Sequence, residues 1–446
     1  MNKDFENINF KSYMKFVLPT IFSMVFMSIY TMVDGIFVSR KLGSTALAAI
    51  NISLPAMNFI FGSIFMIVVG ASAIIGINLG EKKIEKANEN FSNMLYALIF
   101  MVLTYLIVGI FFTKPIARLL GAEKNLLPYV NNYLTIIFLG SIGTITQIFS
   151  EVFLRLEGKF NLSLCATVVG GISNIVLDYI FIYQLDMGIK GAALGTTLGA
   201  SFSGLFGIIY FAFKHSKIRF VFTKVNFKFL KESMINGSSE MVSSLSAGIT
   251  TFLFNRVLLN LVGEVGVSSI TIVLYVNFLL SSIFIGISMG IQPILSYNFG
   301  AKQINNINKL LKMSGIFISI ISVVTFALCN IFKIQLISLF NSDNLELIKM
   351  TSKAFTIISF GFFISGFNIL GSSFFTSLNN GKYSGIIAFS RSIIFKSLII
   401  LTLPTLIGLN GVWLTIPLSE YLCVIITIYF YRKVKNTQLA PPCVSV

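Results

Sequence analysis

Residues 16–38 read FVLPTIFSMVFMSIYTMVDGIFV, a stretch long enough and apolar enough to cross a bilayer as one helix. Its only charged residue is Asp34, and it carries a proline, Pro19, near its start. An ionised aspartate inside a bilayer costs on the order of 3 kcal/mol on insertion scales, so it needs a function or a partner. Pro19 removes one backbone hydrogen bond and is expected to bend the helix. A helix that can bend and that carries one buried acid suits a protein in which ion binding drives a conformational change.

The composition places the whole chain in the membrane. Of 446 residues, 55% are hydrophobic and 11% are charged, and the mean hydropathy is +0.86. A soluble domain averages about 25% charged residues. Apolar runs of about 20 residues recur throughout, which is typical of spanning helices rather than of a barrel. We predict an all-α integral membrane protein with twelve transmembrane helices, at residues 14–38, 47–79, 91–112, 129–150, 161–184, 188–213, 234–261, 268–298, 313–332, 350–374, 385–408 and 411–431.

The basic residues predict the orientation. An even number of spans puts both termini on one side, and that side holds 21 of the Lys and Arg residues against 9 on the other. Cytoplasmic segments carry the excess of basic residues, so both termini are predicted to be cytoplasmic. The net charge of +16 is therefore a consequence of topology, and no nucleic acid partner is expected.

The chain repeats itself at a fixed spacing. NLGEKKIEKAN at 78–88 matches NFGAKQINNIN at 298–308, an offset of 220 residues, and several glycines recur at the same offset. LEGKF at 156–160 is similar to NNGKY at 379–383. Each half has six spans, an even number, so both halves start on the same side of the membrane and have the same orientation. We therefore predict two six-helix lobes related by a pseudo-twofold along the membrane normal.

The lobe boundaries follow from this repeat. The N-terminal lobe is predicted at 1–213 and the C-terminal lobe at 234–446. Between them, residues 214–233 read KHSKIRFVFTKVNFKFLKES, which is strongly basic. We expect this stretch to be a cytoplasmic linker that forms an amphipathic helix on the surface of the membrane lipids.

Two aspartates lie at similar depth in the first half. Asp34 and Asp178 each lie roughly 18 to 20 residues into a span that starts at the cytoplasm, so both belong in the outer half at about 1.5 Å per residue. Asn174 precedes Asp178 by four residues and therefore faces the same side of its helix. Thr196 lies about eight residues into the sixth span, which enters from outside. Two carboxylates, an amide and a hydroxyl are expected to meet inside the N-terminal lobe.

Such a cluster suits a small cation. Burial disfavours a charged carboxylate, and a second carboxylate nearby disfavours it further, so one aspartate is expected to hold a proton or share an ion. Amide and hydroxyl oxygens are hard ligands, so Na⁺ is also chemically reasonable, with Asp34, Asn174, Asp178 and Thr196 as its ligands. The alternative is that each aspartate only bonds neighbouring helices.

Five further charged residues lie more than one turn inside the predicted spans, all in the second half of the chain. Glu240, about two turns into the seventh span, either binds a cationic substrate in the cavity or lies solvated near the surface. Glu420 and Lys396 fall near mid-span on neighbouring helices and are expected to pair. Arg391 is expected to reach the inner membrane surface, and Arg256 has no assigned role.

No feature of the sequence indicates enzyme chemistry. There is no phosphate-binding loop of the Walker type, so ATP is not expected as the energy source. No nucleophile–base pair or metal motif appears, and the four cysteines are far apart. We therefore expect no enzyme activity and no cofactor.

Taken together, these residues resemble the multidrug and toxic compound extrusion (MATE) family over nearly the whole chain. The resemblance rests on the NLGEKK and NFGAKQ repeat and on Pro19, Asp34, Asn174, Asp178 and Thr196. It implies a cation site at Asp34, Asn174, Asp178 and Thr196, and a bending helix at Pro19. A glutamate in the seventh helix of some members matches Glu240. One branch has an acid in the tenth helix, where ISGFNILGSS at 364–373 offers only Asn368. This departure favours the damage-inducible bacterial branch and speaks against a cation site in the C-terminal lobe.

The resemblance also implies a function. Similar proteins export cationic or amphipathic drugs in exchange for H⁺ or Na⁺, so we expect a monomeric secondary antiporter of the plasma membrane. A flippase for lipid-linked precursors, from the same broader superfamily, is the alternative. It should place several basic residues inside its cavity to hold pyrophosphate, whereas here the mid-span cations are few and confined to the second lobe. A sensor or channel would need no buried acid pair.

Overall fold

Twelve membrane-spanning helices form most of the molecule. The computed structural model describes residues 3–123, 125–213, 216–338 and 344–437, apart from the side chains at 3, 4 and 44. Among these residues, eleven helices are long and apolar enough to cross a membrane, and a pair bent by 49° forms a twelfth span. The predicted all-α fold is confirmed. In chain order the spans are α1 (Phe10–Gly43), α2 (Thr45–Gly80), α3 (Ile84–Phe111), α4 (Leu127–Leu139 with Ser141–Leu156), α5 (Phe160–Gln184), α6 (Gly188–Ala212), α7 (Ser238–Val262), α8 (Glu264–Gly300), α9 (Ile304–Ile331), α10 (Leu345–Ser377), α11 (Gly381–Ile407) and α12 (Leu409–Thr437).

The turns between helices match in the two halves. Three pairs of residues, each separated by 220 positions, adopt the same left-handed conformation, which glycine reaches without steric cost. The φ angles are 76° and 69° for Gly43 and Gly263, 61° and 56° for Lys82 and Lys302, and 60° for both Gly188 and Gly408. The repeat in the sequence is therefore a repeat of the fold.

The two halves meet on a pseudo-twofold axis. Gly80 lies against the backbone carbonyl of Tyr297, and Gly300 lies against the carbonyl of Ile77, so one contact occurs twice with the partners exchanged. Gly76 packs on Ser296, its own counterpart in the repeat. Reciprocal contacts of this kind are what a twofold produces. The glycines let α2 and α8 approach more closely than any side chain would allow.

The helix directions show how the axis is oriented. Gly290 of α8 contacts Val17 of α1, and further along both helices the hydroxyls of Ser28 and Ser282 are 3.4 Å apart. Helix α1 therefore runs antiparallel to α8. By the same repeat, α7 runs antiparallel to α2. The two halves thus point the same way, and the axis runs along the spans, as predicted.

The halves are joined at one end and separate at the other. We call the end with the N-terminus, Gly80 and Gly300 the linker face. Near it, a side chain at Gly70 would collide with the backbone of Gly237 at the start of α7. Further from it, a methyl group added at Gly35 of α1 or at Gly248 of α7 would meet no atom within 4 Å. The space beside the far parts of α1 and α7 is therefore open, and we call it the cleft.

Residues 5–9, which we call the N-terminal strap, cross from α1 onto the second half. The side-chain amide of Asn298 donates a hydrogen bond of 2.9 Å to the carbonyl of Phe5, and Asn306 donates one of 2.9 Å to the carbonyl of Glu6. The Phe5 side chain is 4% exposed. The strap thus fastens the first helix of one half to the other half.

The linker binds to the first half, whereas the strap binds to the second. The amphipathic helix predicted for the linker was wrong for most of its length. Residues 216–226 form no helix, and only Phe227–Asn236 does. Side chains on α3 accept hydrogen bonds from the linker backbone and so hold it in a non-helical path. The bonds run from the amides of Arg219, Val221 and Asn226 to Asn88 Oδ1 (2.9 Å), Ser92 Oγ (2.8 Å) and Asn93 Oδ1 (2.6 Å). Lys214 and His215 lie outside the described residues.

Candidate functional site

Two carboxyl groups meet between α1 and α5. Asp178 is fully buried and Asp34 is half-buried, and their carboxyl groups lie close enough to interact directly. The side-chain amide of Asn174 donates to Asp178 Oδ2 at 3.1 Å. Two ionised carboxylates this close repel each other, so a proton on one of them or a bound cation would stabilise the pair. The structure brings Asp34, Asn174 and Asp178 together.

The local backbone makes room for this pair. A π-helical segment, Tyr179–Gln184, begins directly after Asp178, and such segments are frequent at functional sites. On α6, Gly195 faces Asp178 so closely that a methyl group would overlap Oδ1 of the carboxyl. Gly199 lies against the backbone of Asn174 in the same way. Helix α6 therefore needs glycine wherever it backs the acid cluster.

Three oxygens of the cluster are free to accept a ligand. Among the described residues, Oδ1 of Asp34, Oδ1 of Asn174 and Oδ1 of Asp178 are buried and have no hydrogen-bond partner. A buried polar atom without a partner costs about 1–3 kcal/mol. A proton or a hard cation such as Na⁺ would remove that cost, since oxygen ligands suit such ions. The described residues contain no group of three His, Cys, Asp or Glu placed for a metal ion.

Thr196 is the predicted site residue with no observed contact to the acids. It follows Gly195 on α6, but its hydroxyl donates to the carbonyl of Ala192 on its own helix, at 3.0 Å. Threonine in a helix commonly satisfies its hydroxyl in this way. The depth of Thr196 was estimated from the sequence, whereas the rotamer of its side chain was not.

A further buried acid, Glu151, lies in α4. The predicted fourth span ends at 150 and leaves this residue in a loop, but α4 continues to Leu156 and Glu151 is 3% exposed. Oε1 of Glu151 accepts hydrogen bonds from Gln147 Nε2 (3.1 Å) and Thr167 Oγ1 (3.2 Å). Gln147 also lies beside the hydroxyl of Tyr30, one turn before Asp34. Polar side chains of α1, α4 and α5 thus cluster near the aspartates.

Arg155 accompanies Glu151 and was also assigned to a loop. It lies one turn further along α4 and is 3% exposed. Its Nη1 atom has no hydrogen-bond partner among the described residues. The sequence did hold a signal, since Gln147, Glu151 and Arg155 are spaced by four and so share one helix face.

In the second half, Glu420 pairs with Arg391, whereas the sequence analysis had paired it with Lys396. Nε of Arg391 is 2.7 Å from Oε1 and 3.0 Å from Oε2 of Glu420. The side-chain amide of Asn368 donates to Oε2 of Glu420 at 2.8 Å. Arg391 therefore does not reach for the membrane surface. A second π-helical segment, Ser390–Ile394, contains Arg391 and changes the direction of its side chain.

The remaining predicted residues are placed as follows. Glu240 lies on the first turn of α7 and is half-buried, and Ser243 and Ala247, further along the same stripe of the helix, are exposed. Helix α1 continues without interruption through Pro19. Arg256 on α7 is exposed. Glu240 thus lies near the linker-face end of α7, a helix that borders the cleft.

Two pseudosymmetric six-helix halves around a cleft, with buried acids in one half, define a membrane transporter built from parallel repeats. The MatE family model matches this chain twice, at residues 19–180 and 241–400, one match in each half. The chain belongs to the MATE family, and it is a transporter rather than an enzyme.

Curated relatives and solved structures agree with this assignment. The chain is 26% identical to the multidrug export protein MepA of Staphylococcus haemolyticus, over 97% of this chain and 95% of that protein. It is 28% identical to MepA of Staphylococcus aureus strain NCTC 8325, over 93% and 91%. Among solved structures, a complex of the MATE multidrug transporter DinF-BH is similar, with 27% identity, a TM-score of 0.87 and 96% of each chain covered. A MATE structure in the straight conformation has 24% identity and a TM-score of 0.88, again over 96% of each chain.

Proposed function

We propose that this chain is a secondary active antiporter that exports small cationic or amphipathic organic compounds in exchange for H⁺ or Na⁺. The adjacent carboxyl groups of Asp34 and Asp178 carry the proposal, because they form a protonatable site on a helix that lines the cleft. The similarity to MepA, a multidrug export protein, and to DinF-BH, a MATE multidrug transporter, supports the substrate class.

In the proposed orientation both termini are cytoplasmic. The chain is proposed to lie in the plasma membrane as a monomer. The six basic residues of the linker favour this side, because anionic lipids attract them and they oppose translocation. The lobes then comprise residues 1–213 and 234–446, joined by the cytoplasmic linker 214–233. In this orientation the linker face is cytoplasmic and the cleft opens outward.

In the proposed cycle, loading of the acid pair and binding of substrate favour different states. A shared proton, or a bound Na⁺, removes the repulsion between Asp34 and Asp178 and holds α1 against α5. Loss of that cation leaves two adjacent carboxylates and releases α1, which can bend at Pro19. The cation can shift the equilibrium only by its differential affinity for the two states.

The choice between H⁺ and Na⁺ depends on how many oxygens join the site. The free Oδ1 atoms of Asp34, Asn174 and Asp178 supply three ligands. For Na⁺, Thr196 adds a fourth if its hydroxyl turns away from Ala192. For H⁺ the two carboxyl groups suffice.

We also propose that the chain falls in the damage-inducible branch. Asn368 stands where the other branch has an acid, and it is bonded to Glu420 and Thr427. Glu240 is proposed to receive the positive end of a substrate at the base of the cleft. The flippase alternative is less well supported, because Arg391 is paired with Glu420 and cannot hold a pyrophosphate as well.

Dye transport under separately clamped gradients tests this function. Inverted membrane vesicles that contain the chain should accumulate rhodamine 6G when either a pH gradient or a Na⁺ gradient is imposed, and the effective gradient names the coupling ion. Vesicles with equal amounts of chain and both gradients collapsed should not accumulate dye. Accumulation that needs neither gradient would contradict the proposal.

A further inference from the structure

A cavity opens on the linker face where the N-terminal strap, the linker and the start of α3 meet. Its volume is about 490 Å³, which lies within the range of small-molecule sites. Gly76 of the first half and Tyr297 of the second half both line the cavity, and both are buried. The cavity therefore reaches the boundary between the two halves. Its mouth lies at Ile84, Lys217 and Arg219, which line it and are exposed.

Most of the wall of this cavity is apolar. The side chains of Phe5, Leu79, Ile84 and Leu156 line it together with the ring of Tyr297. These residues come from the strap, from three helices of the first half and from α8 of the second half. Apolar surface of this kind favours contact with a hydrocarbon chain over contact with water.

The polar groups at the mouth carry a net positive charge. Lys217 and Arg219 line the cavity beside one acid, Glu157. Oε1 of Glu157 accepts hydrogen bonds from Ser216 Oγ (2.8 Å) and from the backbone amides of Lys217 (3.2 Å) and Ile218 (3.1 Å), so this carboxylate holds the linker backbone. Neither the ammonium of Lys217 nor the guanidinium of Arg219 forms an ion pair with another described residue. Two cations without an anionic partner therefore flank the opening.

The linker beside these cations exposes large apolar side chains. Phe222 is 94% exposed, and Phe220, whose ring lies against that of Tyr96 on α3, is 45% exposed. A segment that combines exposed aromatic rings with basic residues is typical of the membrane interface. Lys217 and Arg219 are therefore expected at the level of the lipid headgroups, where a lipid can enter the cavity.

We propose that this cavity binds an anionic phospholipid and that the bound lipid stabilises the closed linker face. The phosphate lies between Lys217 and Arg219, and part of an acyl chain enters the apolar part of the cavity. The linker is held to the first half, whereas Phe5 and Tyr297 are held to the second, so the lipid contacts both halves at once. Opening of the linker face separates the walls and destroys the site. A ligand that binds one of two states shifts the equilibrium toward that state.

Retention of lipid by the detergent-solubilised chain, measured by native mass spectrometry, tests the site. The wild-type chain should bind phosphatidylglycerol more tightly than phosphatidylcholine with the same acyl chains. The double variant Lys217→Gln, Arg219→Gln should bind phosphatidylglycerol about twenty-five-fold more weakly, since each basic residue beside anionic lipid contributes roughly a fivefold factor. Its affinity for phosphatidylcholine should not change. The backbone amides of both residues keep their bonds to Glu157 and Asn88, so the path of the linker is preserved.

The matched control is the double variant Lys224→Gln, Lys228→Gln. It removes the same charge from exposed positions of the linker that do not line the cavity, and it should keep the wild-type affinity. Equal losses in the two double variants would show a general attraction to a basic surface and overturn the site. If the first double variant does not accumulate, Ile84→Glu replaces it, because a carboxylate at the exposed mouth repels the phosphate. Unchanged binding of phosphatidylglycerol by Ile84→Glu would also overturn the site.

The effect of the lipid on the linker face can be read from Ser296, which is fully buried where it packs on Gly76. In a background without native cysteines and in nanodiscs, Ser296→Cys should react several-fold more slowly with a maleimide in phosphatidylglycerol than in phosphatidylcholine. With Lys217→Gln and Arg219→Gln added, the rate should no longer depend on the lipid. A rate that is independent of the lipid in the unaltered cavity would refute the stabilisation of the closed face.

Glycerol 3-phosphate distinguishes a lipid from a soluble phosphate, because it has a phosphate group and no acyl chain. Added to nanodiscs of phosphatidylcholine, it should not slow the reaction of Ser296→Cys. If it slows the reaction as much as phosphatidylglycerol does, the ligand is a soluble organic phosphate and the proposal is wrong. Dye export takes no part in these measurements, so this inference goes beyond the proposed function and can fail while that function stands.

Discussion

The carboxyl groups of Asp34 and Asp178 lie side by side at the contact of α1 and α5. Two ionised carboxylates this close repel each other, so a proton on one of them or a bound cation stabilises the contact. The pair therefore links the position of α1, which lines the cleft, to the loading of a buried site. The free Oδ1 atoms of both aspartates would approach a Na⁺ ion if the proton left.

Gly195 should be essential for this arrangement. In Gly195→Ala, the new methyl group overlaps Oδ1 of Asp178, so the carboxyl must turn away from Asp34. We expect ion-coupled dye transport to fall at least about tenfold, since even small misplacements at such sites are costly. The measurement is dye uptake into inverted vesicles at matched protein levels.

Gly315→Ala is the matched control, because Gly315 lies on α9 and the added methyl group meets its nearest neighbouring atom only at 4.0 Å. It should transport dye at the wild-type rate. Equal activity of the two variants would show that Asp178 does not need its present position.

The pair of Arg391 and Glu420 should stabilise the second half. Arg391→Leu leaves a buried carboxylate without its cation, which typically costs about 3–5 kcal/mol. We expect a clear drop in the temperature at which the detergent-solubilised protein unfolds. Lys396→Met is the control, since Lys396 makes no ion pair with Glu420, and it should change the unfolding temperature much less. A larger drop for Lys396→Met than for Arg391→Leu would instead support the ion pair of Lys396 and Glu420 that the sequence predicts.

The N-terminal strap should hold the linker face closed. Asn298→Ala removes the hydrogen bond to the carbonyl of Phe5 and should raise the fraction of molecules open at that face. Ser296 lies fully buried on the axis. In a background without native cysteines, Ser296→Cys should therefore react faster with a maleimide when Asn298 is replaced. The exposed neighbour Asn305 provides the control, and Asn305→Ala should leave the reaction rate unchanged.

The proposed topology can be read from Lys224, which is exposed on the linker. Lys224→Cys, in the same cysteine-free background, should resist a membrane-impermeant reagent added to intact cells. It should react readily in inverted vesicles. Efficient labelling of intact cells would invert the whole orientation and make the open cleft face the cytoplasm.

The lengths of the apolar runs were enough to predict the spans, and motifs at a fixed offset were enough to predict the repeat. A helix of fixed rise must cross a layer of fixed thickness, so the number of spans follows from the apolar runs. The offset of 220 residues was readable because turns such as Gly43 and Gly263 need the same unusual backbone in both halves. The approach of Asp34 to Asp178 followed from depth alone.

Depth does not tell which way a side chain points, and the failures follow from this. Lys396 and Glu420 lie at similar depth, but a π-helical segment turns Arg391 toward Glu420 instead. Glu151 was missed because a charged residue at the end of an apolar run looks like the start of a loop. The linker adopts an extended path because side chains of α3 bind its backbone, a contact between distant segments that local sequence does not show.

The most direct test of the account is the effect of Asp34→Asn on coupled exchange. In proteoliposomes, the wild-type chain should move H⁺ or Na⁺ in the opposite direction when rhodamine 6G is added. Asp34→Asn can donate a hydrogen bond to Asp178 but has no titratable group at residue 34, so it should bind the dye yet produce no dye-driven ion movement. Dye-driven ion movement at the wild-type rate in Asp34→Asn, at equal protein content, would show that Asp34 only bonds neighbouring helices and would contradict the proposed coupling.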